Sequence, residues 1–421
     1  MQAISLTRLR EDIDALAQFG RTPSSGVTRP AWSPPHEEAR AWLLGRMREA
    51  GLTTWVDPAG NTFGTTSRSA PPVFGAPGSM DRPDLGVLTG SHIDSVPEGG
   101  ILDGALGVLA GLECLRTIKE AGIRPARALT LVAWSDEEGR YGSLFGSKAF
   151  TGKLDPAQLP TLTAPDGEQL IDAMARAGFN ALEAPKAASD SKTLAAYVEL
   201  HIEQGPHLEA RGIPIGIVSG IVGIRRNRLV FVGEPDHAGT TPMERRKDSF
   251  LAAAEYALKA RELVVKRGSG QSVTNFGVVD VKPGVANIVP ARTSLLQEMR
   301  ELDPVILDRL EQRCLSLARR IAKRRGLGVE VLPVSRNEPA QCASRVQAAI
   351  EAACRVLGLA FQRMPSGAGH DAQNLAAVTD SSMIFIPSKG GRSHRPDEAS
   401  DWDAIERGAN VLLHTLLTLA A

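Results

Sequence analysis

Short apolar runs and helical patterns occur in turn along most of the chain, and this order predicts an α/β fold. Four runs are typical of buried strands, at 86–91, 128–134, 195–203 and 381–387. Apolar residues at helical spacing occur at 36–51 and 104–121. Because strands that alternate with helices usually build a parallel sheet, we expect an α/β sandwich with a mainly parallel sheet.

A segment between residues 213 and 335 has a different pattern. Its first apolar stretch predicts two strands that pair with each other through a glycine-containing turn, and a helix is expected at 247–266. Two more strands, a basic amphipathic helix at 304–325 and a last strand follow. Helices set among antiparallel strands are typical of a small α+β domain. We therefore expect one domain from residues 1–212 and 336–421, with a second domain inserted at 213–335.

Four short polar segments follow or end the strand-like runs. They are GSHID (90–94), SDEEG (135–139), ELHIEQG (199–205) and GGRSHRPDE (390–398). In open α/β sheets, ligands bind outside the carboxyl ends of the strands. The four segments are therefore expected to converge on one site.

The residue types in these segments indicate metal ions. Imidazoles such as those of His92, His201 and His394, together with carboxylates and without thiolates, suit Zn, Mn, Co or Ni. Asp103 lies just before the glycine-rich start of a predicted helix, where a carboxylate can bridge two cations about 3.5–4 Å apart. Asp94 follows His92 by two residues and can hold the other N–H of that ring.

Glu137 and Glu138 are adjacent, so their side chains cannot both point the same way from an extended segment. One of them can ligate a metal while the other takes a proton from the attacking water. A divalent cation makes that proton far easier to remove. The pattern therefore predicts one ligand and one general base.

Each of these signals, taken alone, also has a structural interpretation. A single histidine after a strand is usually a hydrogen-bonded structural residue, a Glu-Glu pair is usually a solvated turn, and Asp103 alone would be a helix N-cap. Five of the eight histidines, however, fall in glycine-rich or acidic motifs at strand ends: His92, His201, His237, His370 and His394. This coincidence favours a common site over five independent structural roles.

Composition excludes several other classes of function. Lysine and arginine together number 48, as do aspartate and glutamate, so nothing indicates a nucleic-acid or membrane surface. No apolar run is long enough to cross a bilayer, and the N-terminal segment predicts an amphipathic helix with Leu6, Leu9, Ile13, Leu16 and Phe19 on one face. Four scattered cysteines without CxxC spacing indicate reduced thiols in a cytoplasmic protein.

Around these residues the sequence resembles the M20 metallopeptidase-like superfamily. The matching stretches are TGSHIDSVPEGGILDGALGVLAGLE, WSDEEGRYGSLFGSKAF, ELHIEQGPHLE, GEPDHAGTTPM, VANIVPA, SGAGHDAQ and GGRSHRPDE. They occur in the family's order from residue 89 to residue 398. HIEQGP and DHAGTTPM are specific to the hydantoinase/carbamoylase branch, which contains N-carbamoyl-L-amino-acid hydrolases, β-ureidopropionases and allantoate amidohydrolases.

The resemblance implies two divalent metal ions per subunit and a role for each motif residue. His92 and His201 would bind one metal. Glu138 and His394 would bind the other, and Asp103 would bridge the two. The general base would be Glu137.

The resemblance also implies the residues that contact substrate: Gln204, His237, Asn287, Arg300 and His370. Arg300 would take a substrate carboxylate, and His237 would arrive from the partner subunit, because the inserted domain would be a lid that also forms a homodimer. Without the family, Arg300 could equally form a salt bridge to Glu298 or Asp303. His237 could be a surface histidine and Asn287 a turn residue.

We expect hydrolysis of the C–N bond in a carbamoyl or ureido group of a small, carboxylate-bearing substrate. Rival interpretations are an allantoate or other ureido acid hydrolase, an aminoacylase or dipeptidase, and a catalytically dead binding protein. A dead protein would lack the base or a ligand, and the motifs are intact. The compact stretch EEGRYGSLFGS and the loop at 67–84, rich in Pro, Gly and Ser, depart from the family pattern and leave the substrate open.

Overall fold

The apolar runs form the strands of two separate sheets. The computed structural model describes residues 2–67, 85–189 and 193–421, so the predicted loop at 67–84 lies, from residue 68 onward, outside the described residues. The chain divides into a larger unit, Met1–Ser219 with Cys342–Ala421, and an inserted unit, Gly220–Gln341.

The strands and helices are numbered in chain order. The strands are β1 (Thr53–Val56), β2 (Thr62–Thr65), β3 (Gly86–His92), β4 (Leu129–Trp134), β5 (Leu194–Ile202), β6 (Ile215–Ile221), β7 (Gly223–Val232), β8 (Val273–Lys282), β9 (Arg292–Glu301), β10 (Gly328–Asn337), β11 (Ala340–Gln341), β12 (Phe361–Ser366) and β13 (Ser381–Ile386). The helices are α1 (Leu6–Leu16), α2 (Pro34–Glu49), α3 (Ala105–Glu120), α4 (Phe145–Phe150), α5 (Leu170–Arg176), α6 (His207–Arg211), α7 (Ser249–Arg267), α8 (Pro304–Arg324), α9 (Ser344–Val356), α10 (Asp371–Leu375) and α11 (Trp402–Leu419). None of the helices in the described ranges is long and apolar enough to cross a membrane.

The sheet of the larger unit is parallel at its centre. Its strand order is β1-β2-β4-β3-β5-β13-β6-β11, and β12 also pairs with β6. The neighbours β4, β3, β5 and β13 are mutually parallel, whereas the flanking pairs are antiparallel. The predicted mainly parallel α/β architecture is therefore confirmed, and the carboxyl ends of four central strands share one edge.

Helix α3 is buried on nearly all sides because it packs against β3 on one side and against α1 and α11 on the others. Its residues from Ala105 to Ile118 are buried without interruption, which explains why the sequence there is apolar rather than amphipathic. Together with α9, these helices enclose the main core of the larger unit. This packing fixes the start of α3, two residues after Asp103, against the sheet.

The inserted unit has its own core. Its four-stranded antiparallel sheet has the order β10-β7-β9-β8. Along β9, every second residue is buried, as expected for a strand with one face against a core. Helices α7 and α8 pack against this sheet, and each begins after an aspartate, Asp248 or Asp303, whose side chain accepts two backbone N–H groups of the first turn.

The prediction that the first two strands after residue 213 pair with each other is wrong. Strand β6 pairs with β13 and β11 in the larger sheet, whereas β7 pairs with β10 and β9 in the inserted sheet. The alternation of apolar residues predicts a strand but contains no information about its partner. The boundary between the two units, at Ser219 and Gly220, lies near the end of β6.

Candidate metal centre

The predicted ligands lie at the carboxyl edge of the parallel strands. His92 is the last residue of β3, and His201 is the last residue but one of β5. Glu138 lies in the turn after β4, and His394 lies in the loop after β13. Asp103 lies two residues before the first residue of α3 and is separated from it by Gly104. Local strand and helix ends therefore bring the five sequence-predicted ligands into one cluster.

The cluster consists of two three-residue groups that share one carboxylate. His92, Asp103 and His201 form the first group, and Asp103, Glu138 and His394 form the second; within each, the potential ligand atoms lie within 4.8 Å of one another. Asp103 Oδ1 lies 3.2 Å from His201 Nε2, and Asp103 Oδ2 lies 3.1 Å from His394 Nε2. Each oxygen of Asp103 thus faces a different group, as a carboxylate between two cations requires.

Backbone carbonyls fix the tautomers of two imidazoles. His92 Nδ1 donates to the Asp94 carbonyl oxygen at 3.0 Å, and His201 Nδ1 donates to the Ile202 carbonyl oxygen at 2.8 Å. Since a carbonyl oxygen can only accept, the proton of each neutral ring lies on Nδ1. The Nε2 lone pairs then face the cluster, where that of His201 accepts the Gly104 N–H at 3.3 Å. A proton on Nδ1, donated to a carbonyl oxygen, is the arrangement common for histidine ligands that bind through Nε2.

Asp94 connects β3 to the turn that carries the two glutamates. Its Oδ1 and Oδ2 accept the backbone N–H groups of Glu137 at 3.4 Å and of Glu138 at 3.2 Å. Glu137 Oε2 lies 3.6 Å from His92 Nε2, and Glu138 Oε2 lies 3.6 Å from His394 Nε2. Adjacent glutamates thus face different histidines, and only Glu138 belongs to a three-residue group.

The turn after β4 is held by residues that the sequence analysis did not identify. Asp136 adopts a positive φ of 50° and accepts the backbone N–H groups of Arg140, Tyr141 and Gly142. The buried Asn61 accepts the Ser135 N–H at 3.1 Å. Asp136 lies within SDEEG, so an additional acid in a ligand motif was a usable signal, whereas nothing local distinguishes Asn61.

Glu398 is a further residue that was missed, although it lies within the motif GGRSHRPDE. It is buried and accepts the backbone N–H groups of Asp103 and His394, so it contacts two of the predicted ligand segments. The available signal was its position, four residues after the predicted ligand His394.

The electrostatics of the cluster favour positive charge. Burial, together with the neighbouring Asp103 carboxylate, raises the pKa of Glu138 to about 7. A hydrogen bond to Asp103 raises the pKa of His394 to about 9. Within the described part of the chain, no lysine or arginine forms an ion pair with the carboxylates of the cluster, which are those of Asp94, Asp103, Glu137 and Glu138. Buried carboxylates require compensating charge, which divalent cations supply.

Two further observations fit a metal centre. The buried Oε1 atoms of Glu138 and Gln204 have no hydrogen-bond partner among the described residues, and such atoms call for a bound group. Gly104 has a φ of 64°, and a Cβ at this position would overlap the His92 ring. The glycine therefore lets the backbone approach the ring closely. The residues present fit a pair of divalent cations.

Two of the predicted substrate residues lie beside this cluster. Gln204 Nε2 donates to both oxygens of Asp103, at 3.1 and 3.2 Å, and its backbone has a positive φ of 58°. The His370 ring is buried and packs edge to face on His201 with centroids 4.6 Å apart. A positive φ at a non-glycine residue such as Gln204 is energetically costly, and such residues are typical of functional sites.

The other three predicted substrate residues lie in the inserted unit. His237 and Ile288 form an isolated antiparallel β-bridge, and the Ala238 N–H donates to the Asn287 carbonyl oxygen. His237 and Asn287 therefore lie on adjacent segments of the backbone. Arg300 lies on β9, where its Nε donates to Glu298 Oε1 at 2.7 Å. The salt bridge between Arg300 and Glu298, which was the alternative interpretation of Arg300, is thus present.

Comparisons with known proteins extend over nearly the whole chain. The sequence profile of peptidase family M20/M25/M40 matches residues 88–418. The chain is 38% identical over 416 residues to N-carbamoyl-L-amino acid amidohydrolase of Geobacillus stearothermophilus, covering 98% of each protein. It is 34% identical over 414 residues to allantoate amidohydrolase of Escherichia coli strain K12, covering 98% of this chain and 97% of that protein. A crystal structure of an amidase of the hydantoinase/carbamoylase family from Burkholderia multivorans matches with a TM-score of 0.87 and 32% identity, covering 99% of this chain and 98% of the other.

Proposed function

The chain belongs to peptidase family M20/M25/M40, in its hydantoinase/carbamoylase branch, and we propose that it is a metal-dependent amidohydrolase of N-carbamoyl-L-amino acids. The products would be an L-amino acid, ammonia and carbon dioxide. The observation that carries this proposal is the position of Asp103, whose two oxygens face His201 and His394 at 3.2 and 3.1 Å. One carboxylate shared by two ligand groups is the arrangement that a two-metal hydrolase requires.

The two groups would each hold one cation. His92, Asp103 and His201 would hold the first, and Asp103, Glu138 and His394 the second. When bound, the cations would supply Lewis acidity to the carbamoyl oxygen and lower the pKa of the attacking water.

Glu137 is the general base in this proposal. It belongs to neither ligand group, yet its carboxylate lies 3.6 Å from the His92 ring. Glu137 takes a proton from water as the water oxygen adds to the carbamoyl carbon. It returns the proton to the leaving nitrogen as the C–N bond breaks. The carbamate that remains then releases carbon dioxide, so that amino acid and ammonia are both freed.

His237 is proposed to stabilise the oxyanion. Its Nδ1 accepts the backbone N–H groups of Gly239 and Thr240 at 3.0 and 3.1 Å. The proton of the neutral ring is therefore on Nε2, which becomes an N–H donor of the kind that stabilises developing negative charge.

The substrate carboxylate is assigned to Arg300, because a guanidinium can bind a carboxylate through two parallel hydrogen bonds. In this proposal Gln204, Asn287 and His370 contact the remainder of the substrate. The 34% identity to allantoate amidohydrolase of Escherichia coli supports a second candidate, since allantoate also carries a ureido group and a carboxylate.

A homodimer is proposed through the inserted unit. Strand β8 is an end strand of its sheet, and Val273, Val278 and Val279 on this strand are exposed. An edge strand with exposed apolar residues is suited to pairing with a second chain. Light scattering after gel filtration would test this, and a monomeric mass at micromolar concentration would contradict it.

A substrate panel tests the proposed activity. Chelator-treated protein would be reloaded with Mn, Zn, Co or Ni, and ammonia release would be measured from N-carbamoyl-L-amino acids, their D enantiomers and allantoate. N-acetyl amino acids and dipeptides would be followed by release of the amine, and Glu137→Gln would be the inactive control. We expect the highest kcat/KM for an N-carbamoyl-L-amino acid, and no activity in the chelator-treated protein before metal is added. Preference for allantoate would favour the second candidate, and preference for acyl or peptide substrates would contradict both.

A further inference from the structure

Glu398 connects two ligand segments that are far apart in the sequence. It is buried, with 5% of the residue exposed. Its Oε1 accepts the backbone N–H groups of Leu102 at 3.3 Å and of Asp103 at 3.0 Å. Its Oε2 accepts the Ser393 hydroxyl at 2.8 Å and the His394 backbone N–H at 3.3 Å. All four contacts go to Asp103, to His394 or to the residue before one of them.

His394 depends on such a contact more than the other ligand histidines do. His92 and His201 lie within β3 and β5, where the hydrogen bonds of the parallel sheet fix the backbone. His394 lies in a loop, has a positive φ of 58°, and its side chain is 50% exposed. Neither sheet register nor core packing therefore fixes its distance from Asp103.

We propose that Glu398 is a positioning residue that holds Asp103 and His394 at ligating distance, and so sets the affinity of the Asp103, Glu138 and His394 group for its cation. The inference rests on the metal centre of the proposed function. It assigns Glu398 no contact with substrate, and it leaves the His92, Asp103 and His201 group largely independent of this residue.

Gly100 supplies a way to displace Glu398 without changing any charge. Its φ lies outside the left-handed region, so the backbone admits alanine. A Cβ at this position, however, would overlap the carboxylate and the Cβ of Glu398. Gly100→Ala therefore perturbs the contacts of Glu398 without substituting any of the predicted ligand residues.

Two substitutions of Glu398 separate position from charge. In Glu398→Gln the amide keeps one acceptor oxygen, and its NH₂ group would face the N–H of one ligand segment, so one of the two connections is lost. Glu398→Asp keeps the negative charge, but its shorter side chain cannot reach both segments. A purely electrostatic role predicts that the aspartate variant binds metal like the wild type, whereas a positioning role predicts that both variants bind it poorly.

Glu301 provides the matched control. It is also buried, with 2% exposed, and its carboxylate accepts the backbone N–H groups of Leu302 and Asp303 and the hydroxyls of Ser269 and Ser272. These partners all lie in the inserted unit and include no predicted ligand. Glu301→Gln therefore makes the same chemical change in a comparable setting.

The experiment is a titration of the chelator-treated full-length protein with Co²⁺, followed by equilibrium dialysis and visible absorption. Wild type and Glu301→Gln should bind two equivalents. In Glu398→Gln, Glu398→Asp and Gly100→Ala, one equivalent should bind about 10–100-fold more weakly, as is usual when a partner of a ligand is lost, and the other should be nearly unchanged. Circular dichroism would verify that each apo variant is folded, and the Glu398 variants decide the question if Gly100→Ala does not fold.

Three results would overturn the inference, and each is distinct. Two tight equivalents in Glu398→Gln show that the residue does not position the ligands. Full affinity in Glu398→Asp alone shows that only its charge matters. Equal weakening of both equivalents shows a general effect on the centre. If wild type itself binds no Co²⁺, the proposed metal-dependent function fails together with the inference.

Discussion

Glu137 and Glu138 form a matched pair for testing the assignment of base and ligand. They are adjacent, each side chain is 11% exposed, and each lies 3.6 Å from a histidine nitrogen. Glutamine at either position keeps the size of the side chain and removes one negative charge. The two variants therefore differ in chemical role and in little else.

The expected losses differ because only Glu138 belongs to a ligand group. Glu137→Gln removes a proton acceptor, and general acid–base catalysis contributes about 10²–10⁴-fold to a rate. At about 1.36 kcal/mol per factor of ten, this loss raises the barrier by about 2.7–5.4 kcal/mol. Glu138→Gln removes a carboxylate that would bind the metal directly. Its metal affinity should therefore fall by more than the about 10–100-fold that is usual when a residue hydrogen-bonded to a ligand is lost.

Metal analysis and kinetics on the same preparations distinguish the two roles. Each variant would be loaded with metal, freed of excess by gel filtration, analysed by mass spectrometry for bound metal, and assayed for ammonia release. Glu137→Gln should retain two ions per subunit with a kcat lower by about 10²–10⁴-fold. Glu138→Gln should retain one ion, with an unchanged circular dichroism spectrum.

A kcat of Glu137→Gln within tenfold of wild type would contradict the assignment of Glu137 as the base. Loss of metal from this variant would contradict it equally. If Glu138→Gln keeps both ions while losing turnover, the two roles are exchanged. Equal metal loss in both variants would show that the turn after β4 tolerates no change, and the assignment from the ligand groups would be wrong.

Three further predictions concern the bridging carboxylate, the substrate carboxylate and the dimer. Asp103→Ala should lower the metal content at both positions while the apo protein stays folded, and two retained ions would exclude bridging. Arg300→Ala should raise KM for carboxylate substrates by about 10- to 140-fold, the equivalent of a charge-assisted hydrogen bond, with little effect on the corresponding amides. Arg226→Ala, which also removes a partner of Glu298, is its control. Co-expressed Glu137→Ala and His237→Ala chains should regain about a quarter of wild-type activity if His237 acts in the partner's site, because mixed dimers then contain one intact site. Inactive mixed dimers would contradict that arrangement.

Much of the larger unit could be predicted because its signals are local. The apolar run at 86–91 corresponds to β3 (Gly86–His92), and the run at 128–134 corresponds to β4 (Leu129–Trp134). A parallel strand that is buried on both faces favours a run of mostly apolar side chains, which the sequence displays directly. The pairing of β6 and β7 was predicted wrongly, because strand partners are decided by packing between distant parts of the chain.

Around the candidate site, too, some residues could be predicted from local motifs and others could not. Histidine and carboxylate motifs after strands predict convergence, because the ends of parallel strands share an edge. The contact of Asn61 with Ser135 involves no sequence pattern and follows only from how β2 lies beside β4. The bonds from Glu398 to Leu102 and Asp103 likewise join segments that only the folded chain brings together.

The sequence was enough to predict the main strands and helices, the chemistry of the candidate ligands and the sheet edge at which they lie. These properties depend on residue type and on short-range periodicity, which are written along the chain. Only the folded chain shows which strands pair, how the two oxygens of Asp103 are divided between His201 and His394, and which buried carboxylates accept hydrogen bonds from the predicted ligand segments. Those properties depend on distances of a few ångströms between residues far apart in the chain, and such distances are set by the packing of the whole core.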